Sequence, residues 1–225
     1  MKRLLSVRRA QKITDTVFTE IRKIIRPGLT EKYIAGKIKR LIIKHGGDTK
    51  MAFTPLVCSG KRTAQVHGKA SRKKIQTDDI MYIDMGARCH GYCADLTRTF
   101  FLGRPNKKLL KIYKIVLAVQ KKQLSLVRAG ARAADIDQKG RDMFKKHKLA
   151  KYFKHSTGHG VGLKIHQRPR ISYKSKETLK TGQVITIEPG IYIKGLGGVR
   201  IEDMVIVTKN GCINLSQSPK HPTIC

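Results

Sequence analysis

Residues 81–101 read Met-Tyr-Ile-Asp-Met-Gly-Ala-Arg-Cys-His-Gly-Tyr-Cys-Ala-Asp-Leu-Thr-Arg-Thr-Phe-Phe, and they carry the fold and the chemistry together. Ile80, Tyr82 and Ile83 favour a strand before Asp84; Leu96, Thr97, Thr99, Phe100 and Phe101 favour one after Asp95. A turn centred on Cys89-His90 and closed by Gly91 makes the stretch a β-hairpin and sets Asp84 directly opposite Asp95. Two facing carboxylates repel, and one would have to hold a proton. A divalent cation between them removes that cost, so the pair is a metal-site candidate.

A second hairpin repeats the arrangement. Residues 183–192 (Gln-Val-Ile-Thr-Ile-Glu-Pro-Gly-Ile-Tyr) and 198–207 (Gly-Val-Arg-Ile-Glu-Asp-Met-Val-Ile-Val) read as strands joined by the glycine-rich 194–198. Folding about Gly195 sets Glu188 against Glu202. Each hairpin thus places an acidic residue on each strand inside apolar sequence, and buried carboxylates without partners call for cations. The repeat is one of architecture, not of sequence.

Outward from the hairpins, Val7, Ala10, Ile13, Val17, Ile21, Ile24 and Ile25 recur at helical spacing over 6–26, stopped by Pro27-Gly28. Thr30 is an N-cap for a helix carrying Ile34, Ile38, Leu41 and Ile42, closed by Gly46-Gly47. Residues 51–58 read as a strand and 60–71 as a loop carrying His67-Gly68. Residues 108–128 and 134–146 read as helices. Helices and strands are segregated within each half, which predicts an α+β fold, an antiparallel sheet covered by helices, in a single domain over 1–225.

With 225 residues and no linker, the chain can bury one sizeable core. No apolar run approaches the ~20 residues of a membrane span, and the N-terminus lacks the apolar segment of a signal peptide. Five cysteines (Cys58, Cys89, Cys93, Cys212 and Cys225) with no Cys-Xaa-Xaa-Cys pair point to reduced thiols and the cytoplasm; Cys89 and Cys93 read as packing residues. The net charge of +33 invites a nucleic-acid reading. Its lysines and arginines are spread along the chain, however, without a basic tail or an RNA-binding aromatic motif, so only non-specific, salt-sensitive nucleic-acid binding is expected.

Residues 155–169 read His-Ser-Thr-Gly-His-Gly-Val-Gly-Leu-Lys-Ile-His-Gln-Arg-Pro. His159 sits among Gly158, Gly160 and Gly162, where the backbone can approach a neighbour closely. One imidazole and four carboxylates suit two divalent cations of the Mn, Co, Fe or Zn kind, with manganese expected first. Such a cluster is nearly neutral, and a water activated between the ions would be the nucleophile.

In order and local context, Asp84, Asp95, His159, Glu188 and Glu202 resemble the metal ligands of the pita-bread (creatinase/aminopeptidase) dinuclear metallopeptidases, across essentially the whole chain. Ile83-Asp-Met-Gly-Ala, Gly91-Tyr-Cys-Ala-Asp-Leu-Thr-Arg-Thr-Phe, Gly158-His-Gly-Val-Gly-Leu-Lys-Ile-His, Ile187-Glu-Pro-Gly-Ile-Tyr and Gly198-Val-Arg-Ile-Glu-Asp look like its Xaa-Pro branch of aminopeptidases P and prolidases. The resemblance implies a pseudo-two-fold sheet, two bound divalent ions, and hydrolysis of the N-terminal Xaa-Pro bond of peptides with proline second, by a monomer or homodimer. It also implies catalytic roles for His67 (leaving nitrogen), His166 (carbonyl oxygen) and Glu188 (general base), with Arg200 fixing a ligand carboxylate.

Two departures stand out. Gln167 replaces the more usual glutamate after the histidine, and the substantial N-terminal domain common in that branch does not precede the motifs. Length therefore resembles a methionine aminopeptidase, the alternative reading, though Glu202-Asp203-Met204 lacks that group's His-Thr. A third reading is a non-catalytic pita-bread module binding RNA or ribosomes; five retained ligands argue against it.

Overall fold

The structure is a computed structural model that describes residues 2–224; Cys225 lies outside them. Helix α1 (Lys2–Ile24) and helix α2 (Glu31–Lys44) open the chain. The predicted stripe holds, with Val7, Ala10, Ile13, Val17 and Ile21 of α1 buried and Ile34, Ile38, Leu41 and Ile42 of α2 buried beside them. At about 1.5–3 kcal/mol for each large apolar side chain removed from water, these stripes hold both helices on the sheet beneath. Thr30 caps α2 as expected, its hydroxyl accepting from the Tyr33 N–H.

Strand β1 (Leu56–Ser59) is shorter than predicted, since residues 51–55 are irregular, with a bend at 52–53. A 3-10 turn at 60–64 and a loop follow. Strands β2 (Ile80–Met85), β3 (Arg88–Cys89), β4 (Tyr92–Cys93) and β5 (Leu96–Leu102) make the first acidic hairpin. Its turn lies one residue later than the sequence suggests: His90 and Gly91 take φ values of +48° and +82°, the geometry of a tight two-residue hairpin turn. The pairing consequently moves by two, and Asp84 lies opposite Thr97, not Asp95. A shift of two keeps every side chain on its face, so both carboxylates still point the same way.

Helices α3 (Lys107–Leu124) and α4 (Ala133–Lys146) cover the second half. Then come β6 (Gly158–Gly160), β7 (Gln167–Ile171), β8 (Val184–Ile187), β9 (Gly190–Ile193), β10 (Gly197–Arg200), β11 (Asp203–Val207), β12 (Cys212–Asn214) and β13 (Thr223–Ile224). The second hairpin is not two continuous strands. β8 pairs with β11 and β9 with β10, and Glu188-Pro189 and Ile201-Glu202 interrupt the ladder. Pro189 has no N–H to donate there. The freed Glu188 N–H donates to the Thr157 carbonyl and the Glu202 N–H to the Thr97 carbonyl.

The expected single antiparallel sheet is therefore divided. One sheet runs β1-β2-β5-β13, another runs β12-β11-β8-β6-β7, and two short ribbons sit beside them. One edge pair, β13 with β5, is parallel. The halves meet along a seam where the Thr99 hydroxyl donates to the Arg200 carbonyl and accepts from the Arg200 N–H. In β2, Met81, Ile83 and Met85 join the core beneath α1 and α2, so alternation turns Tyr82 and Asp84 toward that seam.

Candidate metal centre

The five residues named from the sequence meet at the seam, on the floor of an open cleft of about 1520 Å³. Asp95, His159 and Glu202 bring one ligand atom each within 4.8 Å of one another. The His159 Nε2 lies 3.6 Å from Asp95 Oδ2 and 3.2 Å from Glu188 Oε1. Asp84 completes the group from β2, with its Oδ2 accepting from Arg200 Nη2 at 2.6 Å.

Each side chain is held by something specific. Arg200 touches Asp84 through one nitrogen, so the pair is not bidentate. Its other nitrogens donate to the Thr97 hydroxyl, the Val66 carbonyl and the Tyr192 hydroxyl, and its guanidinium lies over the Tyr82 ring. The Thr97 hydroxyl donates to Glu202 Oε2 at 2.7 Å, and the Thr186 hydroxyl donates to Glu188 Oε1 at 3.1 Å. The glycines around His159 serve packing within the sheet: a Cβ on Gly158 would meet the Thr186 carbonyl, and one on Gly160 the Arg168 carbonyl. The close approach expected there is thus to strands β8 and β7.

Electrostatics mark the cluster as short of positive charge. Burial raises the Asp95 carboxyl well above its usual range, and Glu202, Asp84 and Glu188 push it further. Burial does the same to Glu202, with Glu188 and Asp84 adding to it. Burial also raises Asp84, though Arg200 pulls the other way. Burial would raise Glu188 too, but its bond to the His159 imidazole outweighs this and takes it down to about 2. Burial would lower His159; the Glu188 bond and charge raise it instead. Asp84 Oδ1 and Glu202 Oε1 are buried without any hydrogen-bond partner. Oxygen and imidazole donors of this number, with orphaned oxygens turned inward, fit divalent cations.

His67 and His166 stand exposed at the same cleft. The His166 ring lies 4.3 Å from that of His159, and partial desolvation against the cleft wall, followed by the His159 charge, keeps its imidazole below its ordinary value. The His67 loop is clamped on both sides: the Tyr82 hydroxyl donates to the Gln65 carbonyl and accepts from the Gly68 N–H, and Arg200 holds the Val66 carbonyl. Gln167 also lines the cleft. Tyr82, Thr97, Thr186, Tyr192 and His155 were not anticipated. His155, whose Nε2 meets the Tyr192 hydroxyl at 2.9 Å, is taken down to about 4 by burial.

The sequence profile of metallopeptidase family M24 matches residues 6–209. The chain belongs to this family. It is 43% identical over 215 residues to an Xaa-Pro dipeptidase of Pyrococcus furiosus, covering 96% of this chain and 62% of that protein. Its structure resembles an Xaa-Pro dipeptidase from Bacillus anthracis with a TM-score of 0.97 at 41% identity, covering 100% of this chain and 63% of that one. It also resembles an X-Pro aminopeptidase from Thermotoga maritima with a TM-score of 0.95 at 36% identity, covering 98% and 62%. The fold is therefore the pita-bread fold, and the chain spans about 62% of the length of the curated Xaa-Pro dipeptidases it matches. Among the described residues no helix is long and apolar enough to cross a membrane. Cys58, Cys89 and Cys93 are buried free thiols and Cys212 is a half-buried one, in keeping with packing roles.

Proposed function

We propose that this chain is a metal-dependent exopeptidase that hydrolyses the N-terminal Xaa-Pro bond of peptides. The observation that carries the reading is the ring of four carboxylates around His159, with two buried oxygens lacking partners, in a chain whose relatives are named for Xaa-Pro cleavage. Asp84, Asp95, His159, Glu188 and Glu202 would hold two divalent ions, with manganese expected first. When bound, the ions polarise the scissile carbonyl and acidify a water.

Glu188, anchored through Oε1 by Thr186, takes the proton of the attacking water. Arg200 orients Asp84 and, through the Val66 carbonyl, the loop bearing His67. His166 donates to the carbonyl oxygen as it gains charge. A proline nitrogen leaves a tertiary amide and has no N–H of its own, so it must be protonated. His67, at the cleft mouth, supplies that proton. The free thiols among the described residues support a cytoplasmic reading, and the scattered basic charge supports only salt-sensitive contact with nucleic acid.

The test is release of the N-terminal residue from Ala-Pro and Met-Ala peptides with Mn²⁺ or Co²⁺. Cleavage before proline is expected. Removal of methionine with Xaa-Pro peptides left intact would replace this reading with a methionine aminopeptidase. His67→Ala is expected to lower kcat by roughly 10²-fold while metal content stays unchanged.

A further inference from the structure

The floor of the cleft is acidic, whereas its walls are mainly basic, with Glu177 the one wall carboxylate among the described residues. Lys69, Lys154, Lys174 and Lys176 all line it, and all four are exposed. They come from separate segments: the loop after the 60–64 turn, the segment following the short 3-10 helix at 150–152, and the β7–β8 connection. Among the described residues, no carboxylate lies within ion-pair distance of any of them; the nearby acidic groups are already engaged. Asp137 is taken by Arg141 at 2.6 Å. Glu177 faces Arg168 at 3.8 Å and accepts the Arg170 N–H at 2.9 Å. Among the described residues, Lys174 alone of the four has a partner of another kind, with its ammonium 5.5 Å from the Tyr173 ring.

We propose that this rim selects acidic peptides, in which glutamate or aspartate follows the proline of the scissile Xaa-Pro bond. The proposal rests on the peptidase reading above. That reading seats the amino end of a peptide at the carboxylate floor, so the following residues run out along the walls. A cleft whose walls carry a clear excess of one sign of charge focuses the field and concentrates ligands of opposite sign. Lysine suits the task because its ammonium sits on a long flexible stem and can meet a carboxylate at several positions along a peptide. The cleft volume of about 1520 Å³ leaves room for residues beyond a dipeptide.

The experiment uses the Mn²⁺-loaded protein and Ala-Pro peptides extended by Glu-Glu, Gln-Gln or Lys-Lys, each with a C-terminal fluorophore. In one set the scissile carbonyl is replaced by a methylene, so that binding is read without cleavage. The Glu-Glu peptide is expected to bind more tightly than the Gln-Gln peptide by on the order of tenfold, and the Lys-Lys peptide more weakly than either. The preference is expected to collapse near 1 M salt, where the Debye length is about 3 Å. It is also expected to fall severalfold in K69Q/K154Q/K174Q/K176Q, with the thermal midpoint as the fold control. Equal binding of the Glu-Glu and Gln-Gln peptides at low salt would overturn the proposal. So would a short single-stranded oligonucleotide that competes as well, charge for charge, as the acidic peptide, because the rim would then read polyanions and not peptides. Cleavage of the natural Ala-Pro-Gln-Gln peptide is scored separately: its failure counts against the peptidase reading, while the binding ratio reports on the rim.

Discussion

Glu202 and Asp203 are adjacent, both acidic, and sealed from solvent at 1% and 0% exposure, yet their surroundings are opposite. Asp203 is saturated. Its Oδ1 accepts from Arg98 at 2.8 Å, and its Oδ2 accepts from Gln120 and Asn214, each at 2.9 Å, and from the Lys220 ammonium. Burial would raise its pKa, but Arg98 and Lys220 prevail and hold it below the ordinary range. Glu202 has one donor, the Thr97 hydroxyl, and its Oε1 has none. Burial and two neighbouring carboxylates push it well up. Glu202 lies in the break before β11 and Asp203 opens that strand; one carboxylate enters a network completed by protein cations, and the other enters a cluster that lacks them. A saturated carboxylate is structural; a buried one left open is built for a ligand that the chain does not itself encode.

The largest expected effect separates the two by stability. Asp203→Ala leaves Arg98 buried without its carboxylate, and breaking such a network costs about 3–5 kcal/mol. Urea unfolding of the metal-free protein should show that loss. Glu202→Gln removes one charge from a repelling cluster, so metal-free stability should be equal or higher while metal-dependent peptidase activity is lost. Equal destabilisation by both substitutions would break the comparison.

Metal addition comes next. An ion that binds only the folded state at 100 times its Kd stabilises by about 2.7 kcal/mol, which is roughly 5–10 °C in Tm for a chain of this size. Mn²⁺ should raise the midpoint of the wild type and of Asp203→Ala by similar amounts, and a chelator should reverse both. Glu202→Gln should lose most of that shift. A full shift in Glu202→Gln would mean that the ions bind elsewhere.

How much of this could be read from the chain follows from the same pair. Glu202 was legible because it stands opposite Glu188 in a hairpin, inside apolar sequence that had to be buried. Its difference from Asp203 was not, because the partners of Asp203 come from positions 98, 120, 214 and 220, far apart in sequence. The helices were legible from their stripes and stops. The pairing of Asp84 was missed by two residues because the turn sits on His90-Gly91, and only the backbone shows the positive φ at His90. The roles of His67 and His166 came from family resemblance; nothing in their local sequence reports that they share a cleft. One signal was available and unused. Counting two residues along each strand from each carboxylate gives Tyr82 from Asp84, Thr97 from Asp95, Thr186 from Glu188 and Arg200 from Glu202, and these are the side chains that line the same face and hold the cluster.

Thr97 gives the smallest effect and the finest test of that rule. Its hydroxyl accepts from Arg200 Nε at 3.0 Å while donating to Glu202 Oε2 at 2.7 Å, so one group orients the open carboxylate and the arginine that holds Asp84. Thr97→Val keeps the shape and removes both bonds, leaving Glu202 with no donor at all. The loss of a buried hydrogen bond costs about 1 kcal/mol in stability. The loss of a group that orients a metal ligand typically costs about 10–100-fold in metal affinity. Titration with Mn²⁺ should therefore weaken well beyond what the small drop in Tm suggests, and Thr97→Ser, which keeps the hydroxyl, should restore most of the affinity. Asp203 provides the control, because the Thr97 hydroxyl makes no bond to it or to Arg98, and the stability loss from Asp203→Ala should be unchanged in the Thr97→Val background. If Thr97→Val left Mn²⁺ affinity at the wild-type value, the Thr97 hydroxyl would belong to the packing of the seam and not to the orientation of Glu202.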